Sequence, residues 1–110
     1  MKKNDTELEH GSGNVYRDLG FPDPDDMLLK AQLVSAIDEI LRSGGMTRAE
    51  ASRVLGIRQP KLASIFQGHF HDVSAHKLME CLNKLGRDVE IVVKPARAGD
   101  EKDTFSVVFV

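Results

Sequence analysis

Along most of the chain apolar side chains recur three and four positions apart, and only beyond Asp88 do they alternate one by one. The helical pattern is longest at Leu29, Leu33, Ile37, Ile40 and Leu41, reinforced by Val34. It predicts a helix that begins at Asp25 and Asp26, whose carboxylates suit a positive helix start, and stops at Ser43-Gly44-Gly45. Shorter stripes follow at Ala51, Val54 and Leu55, and again at Leu62, Ile65 and Phe66. A last one, Leu78, Met79, Leu82 and Leu85, has Ser74 as its cap, Val73 and Leu78 as a hydrophobic staple, and Gly86 at its end. Upstream, Val15, Tyr16, Leu19 and Phe21 form a small cluster before Pro22-Asp23-Pro24, where the two prolines predict an extended turn.

After Asp88 the period changes to two. Val89, Ile91 and Val93 alternate with Glu90, Val92 and Lys94 until Pro95. A polar stretch follows, and then Phe105, Val107 and Phe109 alternate with Ser106, Val108 and Val110. This pattern predicts two strands joined by a loop. A lone hairpin is marginal and its apolar edges are a liability. The hairpin could lid the core by packing on the helices, but exposed apolar edges favour the other remedy, in which Val89, Ile91, Val93, Phe105, Val107 and Phe109 pair with a second subunit.

The two short helices in the middle carry the punctuation of a helix-turn-helix. Thr47 with Glu50 three residues on makes the reciprocal capping pattern, Gly56 ends the first helix, and Ile57 plugs the turn. Pro60 lies in the first turn of the second helix, where its missing N–H costs nothing. Burying Leu62, Ile65 and Phe66 leaves Arg58, Gln59, Lys61, Ala63 and Ser64 towards solvent. Residues 42 to 68 hold five cations against Glu50 alone, a charge of +4 in a chain whose total is −2. A basic island in an acidic chain suits a phosphate-binding face, whereas a sequence-blind nucleic-acid coat would be basic throughout. Arg58, Gln59, Lys61 and Ser64 are the expected base readers, since Gln pairs with adenine and Arg or Lys with guanine. Thr47, Arg48, Arg53, Gln67 and His69 are the expected phosphate contacts.

Ala49-Glu50-Ala51-Ser52, Leu55-Gly56-Ile57, Gln59-Pro60-Lys61 and Phe66-Gln67-Gly68 resemble the phage-repressor-like (Xre/Cro-type) family, and more closely its branch of HigA-type antitoxins. Weaker likeness extends to Tyr16-Arg17-Asp18-Leu19-Gly20 and to Gly86-Arg87-Asp88-Val89-Glu90-Ile91. Ser52 stands where the family usually has alanine, and Arg48 where it often has glutamine. The resemblance implies a mainly α fold: a phage-repressor-like helix-turn-helix bundle of about four to five helices, here with a C-terminal two-stranded β element. It implies a homodimer on a palindromic operator in double-stranded DNA. It also implies a small, basic, RNA-cleaving toxin as partner, held by acidic and apolar surfaces away from the DNA helix. The expected division is a flexible acidic arm at 1–24, a DNA-binding domain at 25–87 and dimerising strands at 88–110. Val15, Tyr16, Leu19 and Phe21 have two readings: a lid packed on the domain, or the arm's candidate partner contacts, which the charge of −4 on residues 1 to 26 would suit.

Little else in the chain suggests chemistry. At 110 residues it is expected to form one domain with an aliphatic core, as it lacks tryptophan. The single cysteine, Cys81, excludes a disulfide framework and fits a reducing cytoplasm. No apolar run approaches a membrane span, and the first fourteen residues hold no apolar signal core and are expected to be disordered. His69, His71 and His76 with Asp72 and Cys81 form a weak metal-like set, but nothing supplies further ligands, so no metal and no cofactor is expected. No triad, carboxylate pair or phosphate loop points to an enzyme. Two functions remain beside the antitoxin: a stand-alone phage-type or metabolic repressor, and a helical protein-interaction adaptor. The adaptor has no need of clustered Arg48, Arg53, Arg58 and Lys61.

Overall fold

The computed structural model describes residues 14–96 and 106–110. Five helices follow one another: α1 (Val15–Asp18), α2 (Pro24–Ser43), α3 (Arg48–Leu55), α4 (Gln59–Phe66) and α5 (Ala75–Lys84). The long α2 is the floor against which α1, α4 and α5 pack, while α3 packs on α4 and α5. Its stripe emerges as the sequence suggests: Leu33, Val34, Ile37 and Leu41 are buried, with Leu29 and Ile40 packed at the margin. Leu55, Leu62 and Leu78 from the next three helices are fully buried with Cys81. Each such leucine contributes on the order of 1.5–3 kcal/mol of burial, so the small helices are held by this shared core more than by their own propensity. Val54 departs from the expected stripe and lies on the open side of α3.

The start of α2 differs from expectation. Pro24 is its first residue and Asp23 its cap position, so the helix begins slightly ahead of the Asp25-Asp26 reading. Proline's fixed φ suits a first helical position, and only Pro22 is left to the turn. Ahead of it, Asn14 is buried and works in two directions. Its side-chain oxygen accepts from the Tyr16 and Arg17 N–H groups, and its amide donates to the Pro24 carbonyl at 3.0 Å and to Asp25 at 3.2 Å. Arg17 reaches the same Asp25 carboxylate at 2.7 Å. The Tyr16 and Phe21 rings meet edge to face at 5.3 Å. The expectation of disorder covers the first fourteen residues: 1–13 lie outside the described ones, while Asn14 is buried and caps α1.

The C-terminal two-stranded β element is not present: the described residues contain five helices and no strand. Val89 and Val107 pack on the core. Ile91 and Val93, by contrast, are 78% and 91% exposed, and Val92, Val108 and Phe109 are exposed as well. Alternation signals side chains that diverge to two faces, but a strand also needs a neighbouring edge for its N–H and C=O groups. That edge is a non-local requirement, and the described part of the chain does not meet it. Phe105, the sixth of the expected pairing residues, lies outside the described residues.

Candidate nucleic-acid interface

The site is assembled on α3, the turn and α4. Thr47 caps α3: its hydroxyl accepts from the Glu50 N–H at 3.1 Å, and Glu50 returns a bond to the Thr47 N–H at 2.8 Å. The Thr47 N–H, and after it the Thr47 hydroxyl donating to the same carboxylate at 3.0 Å, hold the Glu50 carboxyl below its ordinary range. At the other end Gly56 takes φ +70°, a left-handed conformation that reverses the chain without the clash a Cβ would bring. Ser52 braces this turn. Its hydroxyl donates to the Ile57 carbonyl, and its own carbonyl accepts from Gly56 and Ile57. The serine in place of the usual alanine thus fastens the turn it borders. Lys84, from α5, donates to the Leu55 carbonyl at the end of α3 at 3.3 Å, tying α3 to the helix it packs on.

With the turn fixed, α4 buries Leu62 and Ile65 and turns its other side outward. Its amino end has no side-chain cap, Arg58 at the cap position and Gln59 at the first turn are exposed, and Pro60 carries no N–H. Open N–H groups, the positive end of a helix and two extended polar side chains make this end suited to acceptors on a duplex. Ser64 is half-buried, and its backbone carbonyl accepts from Gln67 and His69. Arg48 is exposed at the start of α3 with its guanidinium 5.0 Å from the centre of the Phe66 ring. Arg53, Gln67 and His69 are exposed. Thr47 is exposed, though its hydroxyl is already engaged in the cap.

Lys61 is the residue whose surroundings the sequence did not foreshadow. Its ammonium lies 2.9 and 2.7 Å from the two carboxylate oxygens of Asp72, in the loop after α4. The hydrogen bond from Lys61 holds the Asp72 carboxyl below its ordinary range. Arg42, counted in the basic island, pairs with Asp38 one helical turn earlier at 3.1 Å. The cations of the island without a carboxylate partner at ion-pair distance among the described residues are therefore Arg48, Arg53 and Arg58.

The weak metal-like set of the sequence is dispersed. His71 faces Asp23 at 3.3 Å, His76 faces Glu80 at 3.3 Å, Asp72 is taken by Lys61, and Cys81 is buried in the core, which pushes its thiol up. Among the described residues no three His, Cys, Asp or Glu side chains converge. No helix there is long and apolar enough to cross a membrane. Of the candidate arm contacts, Tyr16 packs on the core, while Val15, Leu19 and Phe21 are exposed.

Two short helices joined through a left-handed glycine, set on a three-helix support with a cationic open face, define a helix-turn-helix module. A family model described as a helix-turn-helix domain matches residues 15–94. A solved structure of a protein assigned to the XRE family of transcriptional regulators is similar to this chain with a TM-score of 0.75 and 30% sequence identity, over 81% of this chain and 100% of that one. No curated protein sequence matches the chain. The chain belongs to the Xre-type helix-turn-helix family, a family of DNA-binding transcription regulators.

Proposed function

We propose that this protein is a sequence-specific repressor that binds a palindromic operator as a homodimer, and that it is the antitoxin of a toxin–antitoxin pair controlling its own operon. The observation that carries the DNA reading is the open amino end of α4, with Arg58 and Gln59 exposed beside Arg48 on α3. In this reading Arg58, Gln59, Lys61 and Ser64 face base edges, and Thr47, Arg48, Arg53, Gln67 and His69 hold phosphates. One short helix covers few base pairs, so two copies related by a twofold axis read two half-sites about one helical turn, ~34 Å, apart or a multiple of that.

The exposure of Ile91, Val92, Val93, Val108 and Phe109 supports the homodimer, since a patch of this kind on a lone subunit marks an interaction site. The antitoxin role draws its support from the arm. Val15 and Leu19 are exposed on a segment that also carries Asp18, Asp23 and Asp25, an acidic and apolar composition suited to a small basic protein. Footprinting on the promoter of the protein's own reading frame, with the mass of the complex measured in parallel, tests the first part. A protected palindrome carrying two chains supports it, and equal weak binding to every sequence refutes it. Co-expression with the product of the adjacent reading frame tests the second part. Unrelieved toxicity, or a harmless neighbour, leaves a stand-alone repressor.

A further inference from the structure

The loop between α4 and α5 is built to hold Asp72 where it is. Phe70 and Val73 on either side of it are buried, and the Val73 N–H donates to the Phe70 carbonyl at 3.0 Å. Between them the His71 carbonyl accepts from Lys30 at 2.9 Å. Lys30 is 6% exposed and its ammonium also meets Asp26 at 2.9 Å, so this tie reaches from the core of α2. The His71 ring faces Asp23 at the start of the same helix. Asp72 is thus anchored through its neighbours, while its own side chain stays 71% exposed and spans both bonds to Lys61.

Lys61 is the third residue of α4, on the helix that the proposed function lays against the duplex. We infer that Asp72 is an internal competitor for Lys61 that a DNA acceptor must displace, a base edge in the operator or a phosphate in any other sequence, so that it restrains affinity for both. The inference rests on the DNA-reading proposal above. A carboxylate with two oxygens on one ammonium is the nearest protein counterpart of a phosphate. Such a pair at the surface is weak, so it yields to the duplex rather than blocking it. In the free protein it also cancels one charge of the cationic face, which lowers the pull on DNA at long range.

The test uses Asp72→Asn, Lys61→Gln and the double variant. Each binds two duplexes of equal length: the promoter fragment and a random sequence, over a range of salt. The Asp72→Asn variant should bind both duplexes about two- to fivefold more tightly, the range set by the strength of an exposed pair. Its log–log salt slope should stay close to that of the native chain, because the weak pair yields and Lys61 meets the duplex in both proteins. In the Lys61→Gln background the same substitution should lose most of its effect. Thermal melts confirm that each variant is folded. Unchanged or weaker binding by folded Asp72→Asn overturns the inference, as does an equal gain with and without Lys61. If the unmodified protein binds neither duplex, it is the DNA reading that fails, and the inference falls with it.

Discussion

The guanidinium of Arg48 stacks on the ring of Phe66, 5.0 Å from its centre, so the first residue of α3 is held by the last residue of α4. The start of α3, which the proposed function lays against phosphates, is thereby coupled to the far end of α4. Exposed pairs of this kind are worth about 0.5–1 kcal/mol. A double-mutant cycle on Arg48→Ala and Phe66→Leu, read by urea unfolding, should return a coupling of about that size. Arg48→Ala should also weaken DNA binding on operator and random duplex by the same factor, because a phosphate contact carries no sequence. A loss confined to the operator would contradict the phosphate role.

Gln59, exposed in the first turn of α4 and followed by a proline, projects from the end of the helix best placed to enter a groove. Replacing it with alanine should relax the preference at one base position per half-site by roughly 1–3 kcal/mol. Selection of bound sequences from a randomised operator would read this directly. An unaltered preference would remove Gln59 from the base-reading set.

The cap of α3 makes stability depend on acid. Glu50 has a folded pKa below its ordinary value, so the unfolded chain takes up its proton first as pH falls. The stabilising contribution is complete above the ordinary glutamate pKa of about 4.3 and is lost as pH drops through the lower folded value. Melting curves of the native chain and of Glu50→Gln should therefore converge in acid and separate towards neutrality. Thr47→Ala, which removes the hydroxyl half of the cap, should cost about 0.5–2 kcal/mol at neutral pH.

The arm is best probed by point substitution, because its inner side is part of the fold. Tyr16 packs on the core and Asn14 binds the start of α2, so deleting the arm would uncover α2 as well as remove a docking surface. Val15 and Leu19 are 55% and 70% exposed and touch neither role. Val15→Asp with Leu19→Asp should leave operator binding and melting temperature close to those of the native chain while abolishing toxin neutralisation. Full neutralisation by that variant would move the docking surface elsewhere, with the exposed C-terminal segment next in line.

The reader at the centre of this protein was legible in the sequence because local rules determine it. The Thr47–Glu50 cap, the left-handed Gly56 and the early Pro60 act within a few residues of themselves, and the 3.6-residue stripes of α2, α4 and α5 need only one shared core to bury them. The tertiary structure decided what depends on distant partners. Lys61 and Asp72 are eleven positions apart, and only the anchoring of the loop by Phe70, Val73 and Lys30 brings their charges together. Asn14 acquires its role from the start of α2, and Ser52 from the turn it closes. The period of two after Asp88 misled for the same reason. Alternation is written in one segment alone, whereas a strand exists only when another edge accepts its hydrogen bonds, and the described residues supply none.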